Sequence, residues 1–254
     1  MVSAESQLNI IEQSKKLAAF ACGEKYVRSG CLLGVGSGST VKYLVDYLGE
    51  SYKNGKLTDI MCIPTSQQTK QWLVDAKLPL SDLDITPELD ICIDGADEVD
   101  SNFQCIKGGG GCLAQEKIVQ HASKRFYVIG DYQKMSQHLG ERYDSIPIEV
   151  IPFAYQPLLL SIPQQFGGIA KLRVCDENYG PVVTDNFNYI IDWHFDKTRK
   201  NIDWKMVQIR LAKTPGIVET GLFIDVVDSV FIANPDGTVK EWKNTRNHNN
   251  SVCI

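Results

Sequence analysis

Apolar residues three and four apart in residues 12–26, with Leu17, Phe20 and Ala21 on one face and Val27 just beyond, predict a helix. Residues 31–35 form a short apolar run closed by glycines and read as a strand. Helical spacing returns over 40–48 through Val41, Leu44, Val45 and Leu48. Residues 59–63 read as a second strand, ended by Pro64, and 67–76 as a third helix. Further strands follow at 89–93 and 125–129, with a helix over 113–119 between them. Strands alternating with helices predict a doubly wound α/β fold with a mostly parallel sheet and right-handed crossovers.

The texture changes after Leu139. Residues 146–152 form a strand-like run flanked by prolines, 155–165 read as a helix, and 170–174 and 189–193 alternate as antiparallel strands do. Residues 203–212 are helical again, and 221–224 are strand-like. Residues 228–233 and 238–242, joined by Asn234-Pro235-Asp236-Gly237, form a hairpin. The expectation is an α/β domain over 1–139 and 217–254, carrying an inserted α+β domain over 140–216. The polar tail from Lys243 has no periodicity and reads as frayed.

With 254 residues, 43% hydrophobic and 22% charged, the chain can bury a full core. A net charge of −5 without Lys/Arg runs argues against a nucleic-acid partner. No apolar stretch approaches the roughly 18 residues of a spanning helix, and residues 1–9 are polar, so no membrane partner and a cytoplasmic location are expected. The eight cysteines are scattered, without C-x-x-C pairs, and read as buried thiols of a reducing compartment. Cys112 is a weak candidate nucleophile, and penultimate Cys253 does not make a prenylation signal.

Chemistry concentrates in two windows. Gly34-Val35-Gly36-Ser37-Gly38-Ser39-Thr40 follows a strand and opens a helix, so glycine backbone, first-turn amides and the hydroxyls of Ser37, Ser39 and Thr40 suit a phosphate. It lacks the Lys-Ser/Thr ending of a nucleoside triphosphate loop and the G-x-G-x-x-G dinucleotide spacing. The alternative is a glycine turn whose Ser39 or Thr40 merely caps the helix.

The second window runs from Asp94-Gly95-Ala96-Asp97-Glu98 through Lys107 and Gly108-Gly109-Gly110-Gly111 to Glu116. Acids, a base and bare amides at strand-to-helix loops suit proton transfer on an anionic substrate. Asp97, Glu98 and Asp100 read equally well as a solvated acidic face. Four consecutive glycines cost roughly 1 kcal/mol each in a regular element, and close approach to a ligand is a reason for them.

Together with Lys117, Val182-Val183-Thr184-Asp185-Asn186 and Pro215-Gly216-Ile217-Val218-Glu219-Thr220-Gly221-Leu222-Phe223, these strings resemble the A-type ribose-5-phosphate isomerase family, from about Lys16 to Gly237. The resemblance implies a Rossmann-like domain with a smaller, ferredoxin-like α+β domain. It also implies interconversion of ribose 5-phosphate and ribulose 5-phosphate in the pentose phosphate pathway, with no metal or organic cofactor, in a homodimer or homotetramer. Carried over by position, Glu116 is the proton-shuttling base, Asp94 and Lys107 are partners of the sugar oxygens, and Asp97 is a second acid. Ser37, Gly38, Ser39, Thr40, Gly95, Ala96, Gly108, Gly109, Gly110 and Lys134 fall on substrate-contacting positions, and Lys16 matches a lysine that reaches the phosphate.

The residues support the same chemistry on their own. Moving a carbonyl from C1 to C2 needs one base for both proton transfers and fixed donors for the enediolate, which Glu116, Lys107 and the glycine amides can supply. Asp94 suits proton exchange between ring oxygen and hydroxyls during ring opening. The rivals are a non-catalytic sugar-phosphate sensor, which has no use for Glu116 and Lys107, and a coenzyme A transferase, in which Asp94, Asp97 and Lys107 have no evident role.

Overall fold

The computed structural model describes residues 4–175, 179–198 and 202–245. Along the chain come α1 (Ala4–Tyr26), β1 (Leu32–Val35), α2 (Ser39–Lys53), β2 (Met61–Pro64), α3 (Gln67–Asp75) and β3 (Ile91–Asp94). Two short strands follow, β4 (Glu98–Val99) and β5 (Cys105–Ile106), then α4 (Leu113–His121), β6 (Phe126–Asp131), a 3-10 turn at Tyr132–Lys134 and β7 (Ile146–Val150). The remainder is α5 (Tyr155–Phe166), β8 (Ile169–Leu172), β9 (Tyr189–His194), α6 (Trp204–Ala212), β10 (Ile217–Thr220), β11 (Leu222–Phe223), β12 (Ser229–Ala233) and β13 (Val239–Lys243).

The chain divides into two compact units, one of residues 1–96, 115–134 and 225–254, the other of 97–114 and 135–224. The first holds a six-stranded sheet in the order β13-β12-β6-β3-β1-β2, parallel except for the β12–β13 hairpin. Strands β3 and β6 are buried along their whole length, as central parallel strands covered on both faces must be. Leu33, Ile93, Leu44 and Leu48 are fully buried there. Each such side chain contributes about 1.5–3 kcal/mol of transfer free energy. Helix α1 begins earlier than its apolar spacing predicts. Its last residue, Tyr26, stacks on Tyr127 at 4.0 Å and donates a hydrogen bond to Glu241 on β13, so its C-terminal end is tied to the sheet.

The second unit contains an antiparallel four-stranded sheet, β10-β7-β9-β8, and a three-stranded sheet, β11-β5-β4. Trp193, Phe166, Phe195 and Trp204 form its aromatic core. The change in texture at Leu139 does not mark its start, because β4 and β5 pair with β11 and draw residues 97–114 into it. Two-residue strands carry no periodicity, and of the strand expected at 221–224 only Leu222–Phe223 forms one, β11, while β10 ends just before Gly221. A side chain at Gly221 would meet the Lys107 carbonyl oxygen at 2.2 Å.

Within this unit, Glu149 on β7 is fully buried, and its Oε1 accepts from Thr184 Oγ1, Asn186 Nδ2 and Asn188 Nδ2 at 3.0, 3.0 and 2.9 Å. The 182–186 string thus closes a turn over a buried carboxylate. The tail expected to fray lies mostly beyond residue 245, outside the described residues. No helix among the described residues is long and apolar enough to cross a membrane.

Candidate active site

In the first unit, chemistry gathers at the C-terminal ends of β1, β3 and β6, the edge where open α/β sheets bind ligands. Asp94 is the last residue of β3 and fully buried. Its Oδ1 accepts from the Ser37 amide at 2.9 Å and from the Gly95 amide at 2.7 Å, locking the 34–40 glycine loop to the acid. Gly36 makes this possible. A Cβ there would lie 2.0 Å from Asp94 Oδ1, so any side chain displaces the carboxylate. Gly36→Ala is expected to cost about 1–3 kcal/mol, as overpacked interiors do, and to depress kcat with it. Urea unfolding and a turnover assay on the same preparation check both.

The loop ends at Gly38, the N-cap of α2, which makes no side-chain capping bond. Neither Ser39 nor Thr40 is the cap, and both lie in the first turn, where unpaired amides and the helix dipole favour an anion. The Ser37 hydroxyl is engaged within the protein. It sits 2.8 Å from Thr65 Oγ1, donates to Ser66 Oγ at 2.8 Å and lies 3.4 Å from Thr69 Oγ1. Thr69 in turn donates to the Gly36 carbonyl at 2.7 Å. The Ser37 side chain therefore shapes the loop.

Thr65, Ser66 and Thr69 were not among the candidate residues. Ser66 was legible in one respect, since a serine just before a helix signals an N-cap, and it does accept from the Thr69 amide at 3.1 Å.

Glu116 lies in the first turn of α4 and is only 5% exposed. Val119, on the same helical face, packs so closely on β1 that a Cβ at Gly34 would be 2.6 Å from it. The far end of the helix meets the start of β3, where the Leu89 amide donates to the Ala122 carbonyl at 2.8 Å. The helix thus runs against the strand direction, and its first turn with Glu116 overlies the strand ends that carry Ser37 and Asp94. Lys134 follows β6, its stem against Gly130 on the same edge. Lys16 is instead on an exposed face of α1, its ammonium 5.3 Å from the Phe20 ring.

In the second unit, Lys107 is 2% exposed, its amide donates to the Gly221 carbonyl at 2.8 Å, and its ammonium lies 5.4 Å from the Phe223 ring. The following glycines form a turn closed by the Gly111 amide on the Gly108 carbonyl at 3.0 Å, with Gly108 at φ 96°. Asp97 Oδ2 accepts from the Gly109 amide at 2.7 Å. Gly109 also packs beside the Tyr143 hydroxyl. Burial, with Asp97 adding to it, pushes that phenol up to about 12, so it stays protonated.

The solvated acidic face is not found. Glu98 is fully buried, and its carboxylate accepts from the amides of Gly140, Glu141, Arg142 and Tyr143. Asp100 is buried too. Cys112 is half-buried with its thiol 3.7 Å from the Gly110 carbonyl. Burial pushes the Cys62 thiol up to about 12 and Cys31 to about 11, leaving both as protonated small hydrophobes.

The model of the family described as Ribose 5-phosphate isomerase A (phosphoriboisomerase A) matches residues 61–237. The chain belongs to this family. It is 65% identical over 244 residues to a probable ribose 5-phosphate isomerase of Caenorhabditis elegans, covering 96% of this chain and 97% of the relative. It is 47% identical over 237 residues to the ribose-5-phosphate isomerase of Homo sapiens, covering 93% of this chain and 75% of the human one. A solved ribose 5-phosphate isomerase of Plasmodium falciparum matches with a TM-score of 0.87 at 34% identity, covering 92% of this chain and 100% of that one. A solved D-ribose-5-phosphate isomerase in complex with phospho-erythronic acid matches with a TM-score of 0.86 at 36% identity, over 92% of this chain and 99% of that one. The α/β class with a mostly parallel sheet and a further antiparallel sheet is thus that of ribose 5-phosphate isomerase A.

Proposed function

We infer that the chain is an aldose–ketose isomerase that interconverts D-ribose 5-phosphate and D-ribulose 5-phosphate through an enediolate, a step of the non-oxidative pentose phosphate pathway. The observation that carries this is Glu116, buried in the first turn of a helix over the strand edge where Asp94 holds the phosphate loop by the Ser37 amide.

Each group then has one task. The uncapped first turn of α2 binds the phosphate with its amides, with Ser39 and Thr40 beside them, Gly95 and Ala96 border the sugar, and Lys134 adds positive charge at that edge. Lys16 would need to leave the Phe20 ring to reach the phosphate. Glu116 takes the C2 proton of the open aldose and returns it to C1, its carboxylate serving as base in one half-reaction and as acid in the other. Lys107 and the amides of the 108–111 loop steady the developing oxygen charge, and Asp97 holds the Gly109 end of that loop. Asp94 relays a proton from the anomeric hydroxyl to the ring oxygen and so opens the sugar. We place the enzyme in the cytoplasm as a homo-oligomer; the free buried cysteines suit a reducing compartment.

The test has two parts. Purified protein with a chelator present should convert ribose 5-phosphate to ketose, and absence of turnover would remove the assignment. Asp94→Asn should slow net turnover of ribose 5-phosphate on the order of 10²-fold. It should still exchange the C1 hydrogen of ribulose 5-phosphate, which cannot close a ring, with solvent deuterium at a near-native rate. Equal losses in both assays would rule out ring opening as the task of Asp94.

A further inference from the structure

Arg173 follows β8 and has no part in the chemistry above, yet it holds the catalytic glycine turn. Its Nη1 donates to the carbonyls of both Gly108 and Gly109, at 2.9 and 3.0 Å. Its Nε and Nη2 donate to the two oxygens of Asp192 on β9, at 2.8 and 2.5 Å. Both side chains are largely buried, at 16% and 19% exposure. Such a two-point pairing uses the planar fork of a guanidinium and holds it in one orientation.

The consequence follows from peptide planarity. In a trans peptide the carbonyl and the next amide N–H point in opposite directions. With the Gly108 carbonyl turned to Arg173, the Gly109 amide faces the other way and meets Asp97. With the Gly109 carbonyl turned to Arg173, the Gly110 amide must also face away from the guanidinium. Gly110 is exposed, and no heavy atom lies within 4 Å of where its Cβ would be. Glycine peptides rotate with little steric hindrance, and one flip would present a carbonyl dipole where an amide is needed.

We propose that Arg173, clamped by Asp192, is a positioning residue that fixes the peptide orientations of the 108–111 turn so that the Gly110 amide is presented to the anionic oxygens of the enediolate. The proposal rests on the reading that this turn stabilises the enediolate. It predicts a loss confined to the charged intermediate, because ground-state substrate carries little charge at those oxygens.

The experiment compares Arg173→Met, Asp192→Asn and Lys107→Met with the native enzyme. Arg173→Met should lower kcat on the order of 10²-fold, the scale of a lost oxyanion donor, with KM for ribose 5-phosphate changed less than about threefold. Affinity for phospho-erythronic acid, whose carboxylate stands in for the enediolate oxygens, should fall with kcat. Competitive inhibition by inorganic phosphate should not change. Asp192→Asn keeps the arginine but loosens it, and should give the same pattern at about tenfold or more. A native kcat in either variant, or a parallel loss of inorganic phosphate binding, overturns the positioning role. Lys107→Met separates the two claims. If it too retains native kcat, the turn is not catalytic at all; if it collapses while Arg173→Met does not, only the proposal made here fails.

Discussion

Replacing Glu116 with Gln should lower kcat for ribose 5-phosphate by about 10³-fold, within the range that a positioned general base contributes. The amide has the same shape and fits the same buried place in the first turn of α4, so the packing of Val119 on β1 and the thermal midpoint should change little. KM should hold, because the proposed phosphate site, the α2 loop with Lys134, is left intact. The variant should also lose exchange of the C1 hydrogen of ribulose 5-phosphate with solvent deuterium, since on the proposed mechanism one carboxylate serves both carbons. Loss of net turnover with native exchange would mean that another group removes the proton. A Gln variant within tenfold of native kcat would end the assignment.

The second large effect is expected at Lys107. Lys107→Met keeps the length and the apolar contact with Phe223 but removes the charge, and kcat should fall about 10²- to 10³-fold. Lys107→Arg should not restore it. The ammonium is buried beside an aromatic ring, and a planar guanidinium in that space needs a different set of acceptors. The loss should again fall on kcat, measured under saturating substrate. Native kcat in Lys107→Met while Arg173→Met collapses would transfer the stabilising role to the backbone amides alone; native kcat in both would remove the turn from the chemistry.

The two predictions differ in how far sequence prepared them. Glu116 stood out because a carboxylate three or four positions into a helix after a glycine run is an economical place for a buried base. Lys107 stood out because four glycines after it needed a reason. The α/β alternation was legible for the same kind of reason: buried parallel strands such as β3 and β6 are continuous apolar runs, and their helices carry a face of period 3.6.

Residues with no local pattern were not legible. Glu98 looked like part of a solvated acidic stretch, and only the loop at Gly140 to Tyr143 reveals why it is buried. Arg173 and Asp192 sit in alternating strand sequence as ordinary outward charges would. The hydroxyl cluster of Thr65, Ser66 and Thr69 is visible only once β2 lies beside β1.

By itself the chain determined its layered class, its family and the residue types of the chemistry, since backbone propensity, apolar period and glycine placement act over a few neighbouring residues. Tertiary structure decided which polar groups support those residues: that Asp94 grips the Ser37 amide, that the Ser37 hydroxyl is engaged by Ser66, and that Arg173 donates to the glycine turn. The physical reason is that a hydrogen bond acts over about 3 Å in space and leaves no periodic trace along the chain.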